Sequence, residues 1–212
     1  MNTPRILLFI ITPLSLVVAF LVFPYLSYPA VSHWDVTGVP NGFVLPFWAV
    51  AFGPLILAMF LLLWWGIPKI DPLKKNIESF RRVYDIFWVV GSLFIFYIYA
   101  LTLYWNIGHI FNINMAIAPA FAFLIITIGV VLPRTKRNWF IGIRTPWTLA
   151  SDSVWEKTHA LGGKLFVVAG IISFFAFFIP FYFEWLFLAP LIVATIVPII
   201  YSYLLYKKEG YE

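Results

Sequence analysis

The chain has 212 residues, of which 63% are hydrophobic, 21% aromatic and only 11% charged, and its formal net charge is +5. This composition excludes an ordinary water-soluble globular domain and is typical of an integral membrane protein. The absence of cysteine excludes disulfides, thiolate metal sites and thiol nucleophiles. Membrane topology and anionic lipid headgroups account for the basic charge, so we expect no direct binding to nucleic acid.

Six apolar stretches are long enough to cross a bilayer, for which a helix needs roughly 20 residues. We therefore predict an all-α integral membrane protein with six transmembrane helices. The first apolar run, from Ile6 to Phe23, exceeds the core of a cleaved secretory signal, usually about 7–15 residues, so we favour a retained span over the alternative of cleavage. The predicted spans are about 6–26, 44–66, 86–106, 115–133, 165–183 and 185–206.

The positive charges predict the orientation of these spans. All fourteen Lys and Arg residues lie near the termini or in the connections between spans 2 and 3 and between spans 4 and 5. The loops 27–43 and 107–114 and the turn near Glu184 contain none. Because Lys and Arg are retained on the cytoplasmic side, we predict a multi-pass protein of the cell membrane, surrounded by lipid bilayer, with both termini cytoplasmic.

The first outer loop, "YPAVSHWDVTGVPNGFVLP", is rich in Pro and Gly, which indicates an ordered loop with many turns. His33 and Asp35 are two residues apart, so in an extended segment their side chains would share one face. With His109 of the second outer loop they would suit a metal site with two histidines and one carboxylate, or a general acid/base pair. The alternative is that His33 and Asp35 only hydrogen-bond to backbone.

The first inner connection contains "IPKIDPLKKNIESFRRVYDIFW". Asp71 followed by Pro72 is typical of an N-cap and first helical position, because proline needs no hydrogen-bond donor there. An amphipathic helix is predicted to lie at the inner surface and to run into span 3. Its apolar face contains Leu73, Ile77, Phe80, Tyr84 and Phe87.

The second inner connection contains "NWFIGIRTPWTLASDSVWEKTH", an unusually polar run for this chain. Thr145 precedes Pro146, which disfavours helical geometry at the threonine. Ser153 and Glu156 have the spacing of a capping box, so a second surface helix is predicted to start near Val154.

The end of this surface helix and one of its faces are also predicted. Gly162 and Gly163 are expected to let the chain turn before span 5. Glu156 and His159, three residues apart, should share a face, with Trp155 stacked one turn below the histidine. The pair is similar to half of a carboxylate–histidine metal site in a helix bundle, and the alternative is a hydrogen-bonded surface pair.

Arg144 has the most distinctive surroundings of any cation in the chain. It lies between Gly142 and residues 145–147, where a restricted backbone and a neighbouring indole favour a fixed bidentate contact with a carboxylate or phosphate. Asp152 and Glu156 are candidate internal partners. Two interpretations remain open, a structural clamp and a contact with a ligand or partner.

The run "NWFIGIRTPWTLASDSVWEKTHALGGK" closely resembles the signature of the SdpI family of bacterial immunity proteins. The stretch "SHWDVTGVPNGF" resembles the outer loop of the module that commonly precedes the SdpI half, and "PKIDPLKKN" resembles the inner connection of that module. We therefore predict an N-terminal module at 1–84 and an SdpI-like half at 85–212. The candidate site residues are Asn138, Gly142, Arg144, Thr145, Pro146, Trp147, Thr148, Trp155, Glu156 and His159, with His33, Asp35, Gly38 and His109 outside and Asp71, Pro72 and Asn76 inside.

The resemblance implies an inner-membrane protein that protects its bearer against a secreted, membrane-active peptide toxin acting at the outer face. It also implies a receptor role in which a small cytoplasmic repressor is held at the membrane. We favour a protein without catalytic activity or cofactor. The alternatives are a membrane-embedded, metal-dependent hydrolase or peptidase that uses the outer His33, Asp35 and His109 or the inner Glu156 and His159, and a passive lipid- or small-molecule-binding protein.

Overall fold

A computed structural model describes residues 3–176, 178–179 and 182–210. Within them, six helices are long and apolar enough to cross a membrane, which confirms the predicted helical membrane protein. Residues 177, 180 and 181, in the predicted fifth span, lie outside the described residues. The helices are α1 (Thr3–Val22), α2 (Pro46–Ile70), α3 (Lys74–Ser79), α4 (Arg81–Asn106), α5 (Ile113–Val131), α6 (Pro146–Ala150), α7 (Asp152–Phe175) and α8 (Phe183–Lys208), of which α3 and α6 are short.

The helices and loops form two compact units. One unit contains the chain up to Trp64 together with Trp88–Ala120, and the other contains Trp65–Phe87 and the chain from Phe121 onward. The division into sequence modules at 1–84 and 85–212 stays a prediction, because spatial contacts do not test where two modules meet.

The first unit contains a β-hairpin that the sequence did not predict. Strand β1 (Ala30–Trp34) pairs antiparallel with β2 (Pro40–Val44), and the register shifts on both sides of His33. Asn106, buried at the end of α4, holds the hairpin. Its Oδ1 accepts from the amide of Val31 at 2.7 Å, and its Nδ2 donates to the carbonyl of Val31 at 2.8 Å. The ordered outer loop is therefore a hairpin attached to a helix end.

The core of the first unit lies beside this attachment. Tyr99 and Leu103 of α4 pack against Val50 of α2, and all three are buried. The Tyr99 hydroxyl donates to the carbonyl of Val50 at 3.0 Å. Gly53 lies against the Tyr99 ring, where a Cβ would be 2.4 Å from two ring carbons. The glycine thus allows close packing of α2 on α4, as small residues do in membrane proteins.

In the second unit, α7 is one continuous helix, so the predicted turn at Gly162 and Gly163 is wrong. A Cβ at Gly163 would lie 2.5 Å from Pro133 Cγ, and one at Gly162 would lie 2.6 Å from Ile143 Cδ1. The glycines therefore permit close packing of the helix against the preceding segment. This contact, which sequence cannot reveal, offsets the usual cost of glycine in a helix, about 0.5–1 kcal/mol.

The start of α7 also differs from the prediction. Ser151 is the N-cap, and its hydroxyl accepts from the amide of Val154 at 3.3 Å. Ser153 instead donates to Glu209 Oε1 at 3.0 Å, so the predicted capping box with Glu156 does not form. Both serines suit an N-cap, and a tertiary partner decides their roles.

The first inner connection contains two helices instead of one. Asp71 is not the N-cap, because α3 begins at Lys74 with Leu73 before it. The chain leaves helical geometry at Phe80, with φ −114° and ψ 27°, and α4 begins at the next residue. Ile77, Phe80 and Tyr84 are buried, as their helical spacing predicts.

Candidate functional site

The candidate site on the second unit is built from residues 135–159 and 71–77, which we call the platform. Asn138, with 0% exposure, shapes its first turn. Its Oδ1 accepts from the amides of Phe140 and Ile141 at 2.9 and 2.7 Å. Its Nδ2 donates to the carbonyls of Lys136 and Ile141, both at 2.8 Å. Four hydrogen bonds satisfy the buried side-chain amide, so the turn is firmly held.

His159 and Trp155 of α7 support the next part of the platform. The amide of Ile143 donates to His159 Nε2 at 2.9 Å, so the ring proton lies on Nδ1, which donates to the carbonyl of Trp155 at 2.7 Å. The two rings stack 4.0 Å apart, which confirms the predicted stacking. Trp155 Nε1 donates to the carbonyl of Thr135 at 3.2 Å. Buried rings of α7 therefore bind the backbone at both ends of the turn.

The predicted shared face of Glu156 and His159 is wrong. His159 is only 1% exposed, whereas Glu156 is exposed and pairs with Lys136 at 2.7 Å. The hydrogen bond from this pair raises the pKa of the Lys136 ammonium above its usual value. Both ring nitrogens of His159 have backbone partners, so the geometry does not provide half of a metal site.

Thr145 is the N-cap of the short helix α6, and Thr148 lies in its first turn. Thr145 is extended, with φ −106° and ψ 163°, as the following Pro146 predicts. Its Oγ1 accepts from the amide of Thr148 at 3.1 Å, and Thr148 Oγ1 accepts from the amide of Thr145 at 2.9 Å. This reciprocal cap satisfies two backbone donors within the helix start.

The same short helix contacts α8. Thr145 Oγ1 lies 3.0 Å from Ser202 Oγ, and both side chains are buried. The rings of Trp147 and Tyr203 lie 5.0 Å apart at an angle of 55°. The candidate residues Thr145 and Trp147 therefore attach the platform to the last helix.

Arg144 is exposed and does not contact either predicted internal partner. Its Nη1 donates to the carbonyl of Trp139 at 2.8 Å, its one hydrogen bond with the described residues. Asp152 lies 2.8 Å from Arg137 Nε instead, and Glu156 pairs with Lys136. A guanidinium carries five N–H donors, so most of those of Arg144 remain available to a ligand or partner.

Asp71 and Asn76 of the first inner connection bind the backbone of the 135–159 part of the platform. Asp71 is buried, and its two oxygens accept from the amides of Leu73 at 2.6 Å and Trp139 at 3.0 Å. Asn76 Nδ2 donates to the carbonyl of Arg137 at 2.8 Å. Pro72 lies exposed beside Asp71. The structure thus joins the candidate residues of the first inner connection to those of the second, which lie more than 60 residues later in the sequence.

Trp139 was missed by the sequence analysis. Asp71 binds its amide and Arg144 binds its carbonyl, so its peptide is held from both sides, while the residue is 50% exposed. An indole kept exposed beside a guanidinium with available donors is typical of a protein interaction surface. The available signal was a tryptophan inside a polar segment, which sequence alone cannot distinguish from a membrane anchor.

The outer candidates occupy separate positions in the first unit. His33 Nδ1 lies 2.5 Å from Asn41 Oδ1, and His109 stacks on Tyr104 at 4.2 Å. Asp35 lies beyond β1, and its Oδ1 accepts from the hydroxyl and amide of Thr37 at 2.6 and 2.8 Å and from the amide of Val39 at 3.0 Å. The hydroxyl of Thr37 is the main reason that the pKa of Asp35 is lowered. The strand is irregular at His33 and ends before Asp35, so the extended segment that the predicted shared face requires does not continue to the carboxylate.

Asn112 and Asn114, which the sequence analysis missed, join the two outer loops. Asn114 Nδ2 donates to the carbonyls of Asp35 and Val36 at 3.0 and 2.9 Å. Gly38 has φ +85°, and a Cβ there would lie 3.0 Å from Asn112 Oδ1. Positive φ and close packing together explain glycine at this candidate position.

In the part of the chain that the structure describes, no group of three or more His, Asp or Glu side chains could hold a metal ion. The arrangement of these donors therefore lends no support to the metal-dependent hydrolase.

Comparisons with known proteins show a similarity to one family. Residues 134–202 match the model of the SdpI/YfhL protein family. Over this segment the chain is similar to the SdpI family. It is 24% identical over 208 residues to "Immunity protein SdpI" of Bacillus subtilis (strain 168), an alignment that covers 96% of each chain. No solved structure matches the chain. The family match contains the 138–159 part of the platform and ends at Ser202, the contact of Thr145 on α8.

Proposed function

We propose that this protein is a non-enzymatic membrane immunity protein that protects its bearer against a secreted, membrane-active peptide toxin. The observation that carries the proposal is the similarity to Immunity protein SdpI. The alignment covers 96% of both chains, so the similarity is not limited to one shared segment. Six apolar helices are consistent with action in the membrane that such a toxin attacks.

The protein is oriented with both termini and both Lys/Arg-rich connections in the cytoplasm. The distribution of all fourteen Lys and Arg residues supports this orientation. The platform then lies on the cytoplasmic side, with α3 at the inner surface, and the hairpin lies outside where a secreted toxin arrives. The immunity protein is thus located in the cell membrane.

The same protein acts as a receptor by binding a cytoplasmic regulator at Trp139 and Arg144. Both residues are exposed, and the peptide of Trp139 is held by Asp71 and Arg144. A preformed surface with an indole and an available guanidinium suits an acidic or carboxylate-bearing partner. Toxin would control this binding only if toxin and regulator prefer two conformations of the protein unequally.

The test is survival of a sensitive bacterium, lacking its own immunity gene, under challenge with an SDP-type peptide toxin. Cells that express the protein should survive.

The receptor role is tested separately, by the response of the cytoplasmic regulator to the toxin. Arg144→Ala should abolish this response. The matched Lys75→Ala, which removes another exposed inner cation without a described hydrogen bond, should preserve it. Death of cells that contain correctly inserted wild-type protein would contradict immunity to that toxin. Equal responses of both variants would contradict the receptor surface.

A further inference from the structure

Two apolar grooves run along the two sides of α5 in the second unit. The first has a volume of about 620 Å³ and lies between α4 and α5, where Phe123, Ile126 and Val130 line it. The second has a volume of about 530 Å³ and lies between α5 and α7, where Val130 and Val168 line it. Val130 therefore contributes to both grooves.

Cations lie at one end of both grooves. Arg82, in the first turn of α4, and Arg134, in the turn that follows α5, line the first groove. Arg134 also lines the second groove, together with Lys164 of α7. Arg134 is thus shared by the two grooves, with one further cation on each side.

The charges of these cations are not compensated by the described residues. Arg82 and Lys164 make no hydrogen bond or ion pair there, and Arg134 donates to the carbonyl of Val130. The nearby carboxylate of Asp85 is bound by Arg81 at 2.9 Å. Neither groove has an acidic residue in its lining. Three uncompensated cations therefore lie beside apolar grooves, an arrangement that suits a ligand with an anionic group and apolar chains.

We propose that the two grooves together bind one anionic, two-chain glycerophospholipid of the bilayer. Its phosphate lies at Arg134, between Arg82 and Lys164, and one acyl chain follows each groove. Guanidinium groups form charge-assisted hydrogen bonds with phosphate oxygens, and juxtamembrane Lys and Arg attract anionic lipids. A zwitterionic lipid fills the grooves equally well but has no net charge to balance the three cations, so the site discriminates by headgroup.

The glycines in the second groove allow α5 and α7 to pack closely beside it. A Cβ at Gly129 would lie 2.6 Å from the amide nitrogen of Val167, so α5 and α7 approach to backbone contact. Gly129 and Gly163 line the groove at this close approach, and the exposed side chain of Val168 also lines it.

The test is native mass spectrometry of the full-length protein in detergent with phosphatidylglycerol or phosphatidylcholine of identical chains. We expect one phosphatidylglycerol per chain to bind preferentially. Arg134→Gln, Arg82→Gln and Lys164→Gln should each weaken it about fivefold, the effect of one basic residue near a charged lipid surface. Lys75→Gln, a cation outside both grooves, should leave the affinity unchanged.

A steric variant tests the grooves independently of charge. Val168→Trp should obstruct the groove between α5 and α7 and weaken phosphatidylglycerol and phosphatidylcholine by similar factors. All variants are compared at unchanged Tm and elution volume, so that misfolding is excluded as the cause. Equal affinity of wild type for the two lipids, or unchanged affinity in either Arg134→Gln or Val168→Trp, would overturn the proposal.

Discussion

The imidazole of His159 lies against the backbone of Gly142, so that a Cβ on the glycine would be 2.4 Å from Nε2. That nitrogen accepts the amide of Ile143, the residue after the glycine, at 2.9 Å. This contact therefore requires a residue without a side chain at 142 and a histidine at 159. Packing thus accounts for two residues of the run that resembles the SdpI signature.

Gly142→Ala should lower the free energy of unfolding by at least about 2 kcal/mol. The added methyl displaces His159 and breaks its hydrogen bond, and the φ of +123° is unfavourable for alanine. Chemical unfolding in detergent micelles measures the loss. Gly108→Ala is the matched control, because Gly108 has φ +100° but nothing within 4 Å of the position that a Cβ would occupy. Equal losses in the two variants would show that backbone strain alone is responsible.

His159→Leu should lower the free energy of unfolding by about 1–3 kcal/mol, because the amide of Ile143 loses its acceptor in a largely buried position. His109→Leu should have a much smaller effect, since that ring is exposed and stacks on Tyr104. The same unfolding measurement compares the two histidines. A similar loss in both variants would contradict the structural role assigned to the buried ring.

Asp71→Ala should expose the amide of Trp139 to solvent exchange. The buried carboxylate is its acceptor at 3.0 Å, and loss of a buried acceptor costs about 1–3 kcal/mol. Hydrogen–deuterium exchange at Trp139 should therefore accelerate about tenfold, which corresponds to about 1.4 kcal/mol. Glu78→Ala removes an exposed carboxylate of the same connection and should leave this exchange rate unchanged. Unchanged exchange in Asp71→Ala would contradict the hydrogen bond between Asp71 and the amide of Trp139.

The turn around Asp35 should respond to acid. Its hydrogen bonds with Thr37 and Val39 lower the pKa of the carboxyl below its ordinary 3.8. A lowered pKa stabilises the ionised form, so the contribution is complete above pH 3.8 and is lost as the pH falls through the lowered value. Carbon-13 NMR of the carboxyl measures the titration.

Two variants of Thr37 isolate the main cause of this pKa shift. Thr37→Val removes the hydroxyl that donates to Asp35 and should return the pKa towards 3.8, whereas Thr37→Ser should preserve the shift. The backbone amides remain in both variants. An unchanged titration in Thr37→Val would assign the shift to the amides of Thr37 and Val39 instead.

Local sequence patterns predicted the features that depend on neighbours in the chain. The apolar runs predicted six spans, the Thr145-Pro146 pair predicted extended backbone at the threonine, and four-residue spacing predicted the stacking of Trp155 on His159. Each follows from bilayer thickness or from helix and proline geometry, which act within a few residues.

The predictions that were wrong concern residues that suit more than one local structural role. Ser151 and Ser153 both suit an N-cap, and the contact of Ser153 with Glu209 decided between them. Gly162 and Gly163 suit a turn equally well as a close helix contact, and Pro133 and Ile143 on the neighbouring segment decided for the helix.

By itself, the sequence determined a helical membrane protein whose polar segment at 138–159 stands out from an apolar chain. Tertiary structure alone decided that Asp71 and Asn76 bind this segment, that His159 is buried while Glu156 is exposed, and that Arg144 keeps most of its donors available. The physical reason is that hydrophobic length and periodicity are properties of a continuous stretch. Hydrogen-bond partners of buried polar groups are set by which distant segments pack together.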